Sequence, residues 1–145
     1  MLTTDDRLDY LNTWRLSVTN CALGVLDAST MPEDVAVEVR EMLRDIPMRD
    51  AIIAEMAGDT EFRAEHRALI ARLAKDGDVP STALLALLDY LDEDFDAAME
   101  HATSALERED YSLARLVIQG RLMNAPASLL HDSLTHYSPE WLCEA

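Results

Sequence analysis

Apolar positions recur every three or four residues along most of this chain, the spacing of one face of an α-helix. The densest stretch runs from Val79 to Met123. Within it, Ala83, Leu84, Leu85, Ala86, Leu87, Leu88 and Leu91 cover nearly the whole circumference of one helix, placed at Ser81–Leu91 with Ser81 or Pro80 at its start. A helix that is apolar on all sides is buried, so this one is expected at the centre of the domain. Asp94 is placed to cap the next helix, whose inner face carries Phe95, Ala98, Met99, Ala102, Ala105 and Leu106. A further helix is predicted over Tyr111–Met123, with Leu113, Leu116, Val117 and Leu122 inside. Pro126 opens another with Leu129, Leu130 and Leu134, and a last short turn from Ser138 anchors Trp141 and Leu142.

Four helices are predicted before the central one. Thr4 is the expected cap of the first, with Asp5 and Asp6 in the first turn, where the helix dipole favours acid. Leu8, Leu11, Trp14, Arg15, Val18, Cys21, Ala22 and Val25 recur at its helical spacing, and its end is expected near Asp27. Thr30-Met31-Pro32-Glu33 reads as a capping box for the second, which carries Val35, Val39, Met42 and Leu43 and is stopped by Pro47. Met48–Ala57 forms the third, with Gly58 as its C-cap. Asp59 or Thr60 caps the fourth, whose stripe is Phe62, His66, Leu69, Ile70 and Leu73. Arg63, Arg67, Arg72 and Lys75 lie mostly off that stripe and are expected on a solvated face, paired with Glu61 and Glu65. The whole reads as a single all-α domain over residues 1–145, a compact bundle of about seven to eight short helices around Ser81–Leu91.

Composition narrows the functions open to such a bundle. The chain has 145 residues, 49% of them hydrophobic, enough for one domain with a sizeable core. Its 28 acidic and 12 basic residues give a net charge of −16. That balance excludes unaided binding to nucleic acid and to an anionic membrane, both of which need a basic footprint. Cys21 and Cys143 stand far apart and in no metal spacing, so both are expected as reduced thiols. The start of the chain shows no secretory pattern, and no stretch approaches the ~18 apolar residues of a membrane span. The expected compartment is the cytoplasm.

Two patterns resemble known families. Asp94-Phe95-Asp96-Ala97-Ala98, with small residues at Ala86, Ala98 and Ala105, resembles a tetratricopeptide-type helical hairpin. Only one such unit is present, whereas a solenoid needs about three repeats. The second pattern combines Ile46-Pro47-Met48-Arg49-Asp50-Ala51, the leucine-rich helix, and the run from Ala105 through Asp110-Tyr111-Ser112-Leu113-Ala114 to Leu116. It is similar to the C-terminal helical half of an actinobacterial family catalogued as domain of unknown function 4192, over about Asp45 to Leu134. The resemblance implies a helical fold and an actinobacterial or actinophage source. It supplies no reaction and no catalytic residues.

Recognisable catalytic chemistry is sparse. Asp92, Asp94 and Asp96 alternate like the first ligands of a calcium loop, but Ala97 stands where the glycine belongs and Thr103 where the bidentate glutamate belongs. His66, His101, His131 and His136 form no metal-binding spacing, and His66 reads as a boundary residue, His101 as a surface one. There is no nucleophile elbow and no phosphate-cradling glycine loop. No catalytic, cofactor or metal site is therefore expected. Charge is the more specific signal. From Asp76 to Asp110 there are eleven acidic residues and one basic, Arg108. Asp89, Asp92, Glu93, Asp94, Asp96 and Glu100 form the candidate interaction face. The favoured reading is a non-enzymatic protein–protein interaction module of unknown process. The alternative is an acidic inhibitor, of phage or plasmid type, that imitates nucleic acid and occupies a basic nucleic-acid-binding protein. Homo-oligomer formation through an apolar face is a third use, which Trp14, Tyr137 and Trp141 would mark if exposed together.

Overall fold

The computed structural model describes residues 2–135. Eight α-helices succeed one another among them: α1 (Thr4–Ala22), α2 (Glu33–Met42), α3 (Ile46–Gly58), α4 (Arg63–Ala74), α5 (Val79–Leu91), α6 (Phe95–Arg108), α7 (Ser112–Leu122) and α8 (Ala127–Thr135). Single 3₁₀ turns sit at Ala28–Thr30 and Lys75–Gly77, and no strand occurs among the described residues. No helix of these residues is long and apolar enough to cross a membrane. The turn expected from Ser138, Tyr137, Trp141, Cys143 and His136 lie outside the described residues.

The centre of the bundle is α5, as its all-round apolar pattern predicts. Every residue from Val79 to Tyr90 is buried, and the helix packs against α3, α4, α6, α7 and α8. It starts two residues earlier than the sequence suggests, because Asp78 is the cap. The Asp78 carboxylate accepts hydrogen bonds from the Ser81 amide at 3.2 Å and the Ser81 hydroxyl at 2.5 Å. Packing of α5 on α6 runs through the small residues Ala86, Ala98, Ala102 and Ala105, all fully buried. Small side chains at the crossing let two helix axes approach closely. Tyr90 ties the far end together. Its hydroxyl donates to the Ala125 carbonyl at 2.5 Å, and its ring meets Phe95 edge-on at 4.9 Å.

Several local expectations are corrected. Thr3, not Thr4, caps α1, in a reciprocal capping box with Asp6. The helix ends at Ala22, and Gly24, at φ +74°, turns the chain away and leaves Val25 exposed. No capping box forms at Thr30, because Asp27 turns the preceding segment through Ser29 and the α2 cap falls on Pro32. Pro47 does not stop α2, which has already ended. It sits in the first turn of α3, behind the Asp45 cap that accepts from the Met48 amide. The α4 cap falls on Phe62 rather than Asp59 or Thr60. In α7 the inner face is Leu113, Ala114 and Val117, whereas Leu116 and Leu122 are exposed, as is Leu129 of α8.

Candidate interaction surface

Helix α4 has three faces, and each does a different job. His66, Leu69, Ile70 and Leu73 point into the core at helical spacing. His66 is 1% exposed and fully engaged. The Trp14 indole N–H donates to its Nδ1 at 3.1 Å, and Nε2 lies 3.0 Å from the Asp59 carboxylate. An indole nitrogen only donates, so Nδ1 is the acceptor and Nε2 carries the proton toward Asp59. Burial pulls the imidazole below its ordinary pKa, against the opposing pull of Asp59. This residue is therefore a neutral core group rather than a boundary one.

The flanks of α4 carry its arginines, and these are not a solvated face paired with Glu61 and Glu65. Arg67 reaches Asp89 at 2.5 Å and Asp92 at 2.9 Å. Arg63 reaches Asp92 at 3.2 Å and also donates to the carbonyls of Met56 and Ala57. On the opposite flank Arg72 donates to the Met31 carbonyl at 2.8 Å and pairs with Glu33 at 3.0 Å. These three arginines are thus clamps that fasten α4 to α3, to α5 and the α5–α6 turn, and to the start of α2.

The six residues of the sequence-derived acidic face are accordingly divided. Asp89 does not belong to a surface: it is 2% exposed, on the buried helix α5. Its second oxygen lies 2.6 Å from His101 Nδ1 on α6, so His101 is held by a buried carboxylate rather than standing free. Asp92 is exposed but shared by Arg63 and Arg67. Glu93, Asp94, Asp96 and Glu100 are exposed. Of these, Asp94 caps α6 through the Ala97 amide at 3.3 Å, and Glu93 occupies the turn at φ +62°.

The third, outward face of α4 is the feature that sequence reasoning missed. Ala64, Ala68 and Ala71 are exposed, spaced by four and three residues, and with Ala74 they floor a groove of about 1000 Å³. One wall is the chain from Cys21 to Ser29, and the other is Thr82 and Leu85 of α5 with His101 and Ser104 of α6. Burial, with Glu65 and Asp27, pushes the Cys21 thiol up, which keeps it protonated and a poor nucleophile. The carboxylates of Asp27 and Glu65 stand along the groove. Glu100 and Glu107 are exposed four and three residues either side of Ser104 on α6. An apolar floor results, edged by the carboxylates of Asp27 and Glu65 and by the cations Arg72 and Lys75. The signal was present in the sequence as four alanines at helical spacing opposite the leucine stripe.

Comparison with known proteins returns no matching family model, no matching curated protein and no matching solved structure.

Proposed function

We propose that the protein is a non-enzymatic protein–protein interaction module of the cytoplasm, and that its binding surface is the groove along α4. The observation that carries this reading is the exposed alanine floor between two walls. Ala74 lies ten residues beyond Ala64, about 15 Å at helical rise, or roughly three turns of a partner helix. Helix-in-groove recognition places the apolar face of an amphipathic helix on such a floor. The partner we infer is an amphipathic helix with small or apolar residues on one face and charges of both signs on its flanks, to match Asp27 and Glu65 on one side and Arg72 and Lys75 on the other.

The nucleic-acid-mimicking reading draws less support. It needs a continuous field of free carboxylates, yet Asp89 is buried and Asp92 is shared by two arginines.

The test is affinity capture from a lysate at low and high salt, with two baits: the wild-type chain and Ala68→Trp. Residue 68 is exposed, so the indole fills the groove without entering the core. A partner retained at high salt by the wild-type chain and lost from Ala68→Trp is the expected result. Capture unaffected by the indole sinks the groove reading. Capture at low salt only, abolished by neutralising Glu93, Asp94, Asp96 and Glu100 together, returns the decoy reading, since binding through many charges is steeply salt-dependent.

A further inference from the structure

Among the described residues, nine of the twelve basic side chains form an ion pair with a carboxylate within 4 Å. The other three are Lys75, Arg108 and Arg121. Arg121 is stacked on the Phe95 ring, 4.5 Å from its centroid. Lys75 and Arg108 line one and the same pocket of about 490 Å³, together with Arg40 and Arg44. Two cations without a carboxylate among the described residues, in a chain that carries 28 acids and 12 bases, are an exception. That both open onto one pocket makes the exception a place.

We propose that this pocket binds an oxyanion, a phosphate or a carboxylate group. Four separate segments build it: Arg40 from α2, Arg44 from the α2–α3 turn, Lys75 from the α4–α5 turn, and Arg108 from the last turn of α6. Arg108 is held in place by the turn itself. Its Nη1 donates to the Asp76 carbonyl at 3.2 Å, which leaves most of its five N–H donors for a ligand. Gly77 permits that position. The turn requires φ +82° there, and a Cβ on Gly77 would lie 2.3 Å from the guanidinium carbon. Arg40 donates to the Leu73 carbonyl at 2.8 Å and shares Glu33 with Arg72, so one carboxylate serves two guanidinium groups. Arg44 is matched by Glu109.

The first residue of α5, Val79, and its cap Asp78 also line the pocket. That end of α5 is already met by its own Asp78 cap, so the pull on an anion rests on the four cations. The Asp78 carboxylate is turned to Ser81. Asp76 is the one lining acid with no side-chain partner, among the described residues, to quench it. It sets a limit on how negative a ligand the site tolerates. Lys75 and Gly77 line the α4 groove as well. An oxyanion carried by a groove-bound chain and a free one both reach the site.

The experiment is a titration of the isotope-labelled full chain with inorganic phosphate, and separately with acetate, followed by amide and arginine side-chain NMR shifts. Saturable shifts centred on Lys75, Asp76, Gly77, Val79 and Arg108 are expected. In Lys75→Gln/Arg108→Gln the affinity falls at least about tenfold, as removal of two charge-assisted donors requires. Arg121→Gln is the control and leaves it unchanged. Phosphate much tighter than acetate assigns a phosphate ligand, and parity assigns a carboxylate. Absence of saturation at this turn, or equal shifts in the double variant, overturns the proposal. If the double variant does not fold, Lys75→Gln alone, at an exposed residue, carries the test.

Discussion

Replacement of Asp89 by asparagine measures whether this carboxylate is a structural group or a surface one. The side chain keeps its size, but one oxygen becomes a donor. In the folded chain the two oxygens accept from Arg67 at 2.5 Å and from His101 at 2.6 Å, and the residue is 2% exposed. Loss of one partner of a fully buried pair costs about 3–5 kcal/mol. An exposed pair is worth about 0–1 kcal/mol. This pair falls between, because the Arg67 and His101 side chains are 34% and 38% exposed and can regain water. Arg67 also keeps Asp92. Hydrogen bonds to a charged group contribute about 1.5–3 kcal/mol, and that is the expected loss. With an m-value near 2 kcal/mol/M, the urea midpoint followed by circular dichroism falls by about 1 M. Asp96→Asn, at an exposed site of the same acidic run, stays within about 0.5 kcal/mol. The reasoning fails if Asp89→Asn shifts the midpoint no more than Asp96→Asn does. A cycle with Arg67→Gln apportions the loss, since only an interaction between the two residues makes their effects non-additive.

Leu88→Ala, at a fully buried site of α5, is expected to lower stability by about 2–5 kcal/mol in the same urea assay. Asp45→Ala removes both the α3 cap and the carboxylate that meets Arg7 at 2.9 and 3.1 Å; a loss of about 3–5 kcal/mol in urea is expected, and one under 1 kcal/mol contradicts the pairing. Gly77→Ala is expected to cost about 1–2 kcal/mol from its left-handed backbone alone, and Arg108→Ala in the same chain relieves only the steric part, as paired thermal melts would show. Stability also depends on His66. Its folded pKa lies below the unfolded value near 6.5, so the unfolded chain binds the proton first as pH falls. The His66 contribution is complete about one unit above pH 6.5 and declines below that by up to about 1.4 kcal/mol per unit until the folded pKa is reached. Asp45, whose burial is outweighed by Arg7 and the Met48 amide to give a lowered pKa, adds its loss only nearer pH 4. Urea midpoints from about pH 7.5 to pH 5 that do not decline, or an equal decline in His66→Gln, contradict this account.

The helices were legible wherever the apolar pattern left no choice of face. An all-round apolar helix has one place to go, so α5 and the alanine face of α6 follow from sequence directly. Short helices with an apolar residue on two faces do not. In α7, Leu113, Ala114 and Val117 compete with Leu116 and Leu122, and periodicity alone does not say which set turns toward α5. Pro47 was ambiguous for a different reason, since proline both ends helices and opens them. Asp45, two residues earlier, was the signal that it opens one.

The acidic surface was harder to read because charges find partners through space rather than along the chain. Arg67 and Asp89 are 22 residues apart, and Arg44 and Glu109 are 65 apart. Counting charge by segment assigned the arginines of α4 to Glu61 and Glu65 and left the acids of the α5–α6 region free. A helix read as buried on every side leaves no surface for an aspartate between Leu88 and Tyr90. Such a carboxylate must be met by hydrogen bonds or by a cation, and the preceding helix, α4, is the one that carries several cations. The same reasoning recasts the net charge of −16. It is what remains after nearly all the arginines have been spent fastening helices together, so the cations that remain unspent, at Lys75 and Arg108, say more about binding than the surplus of acid does.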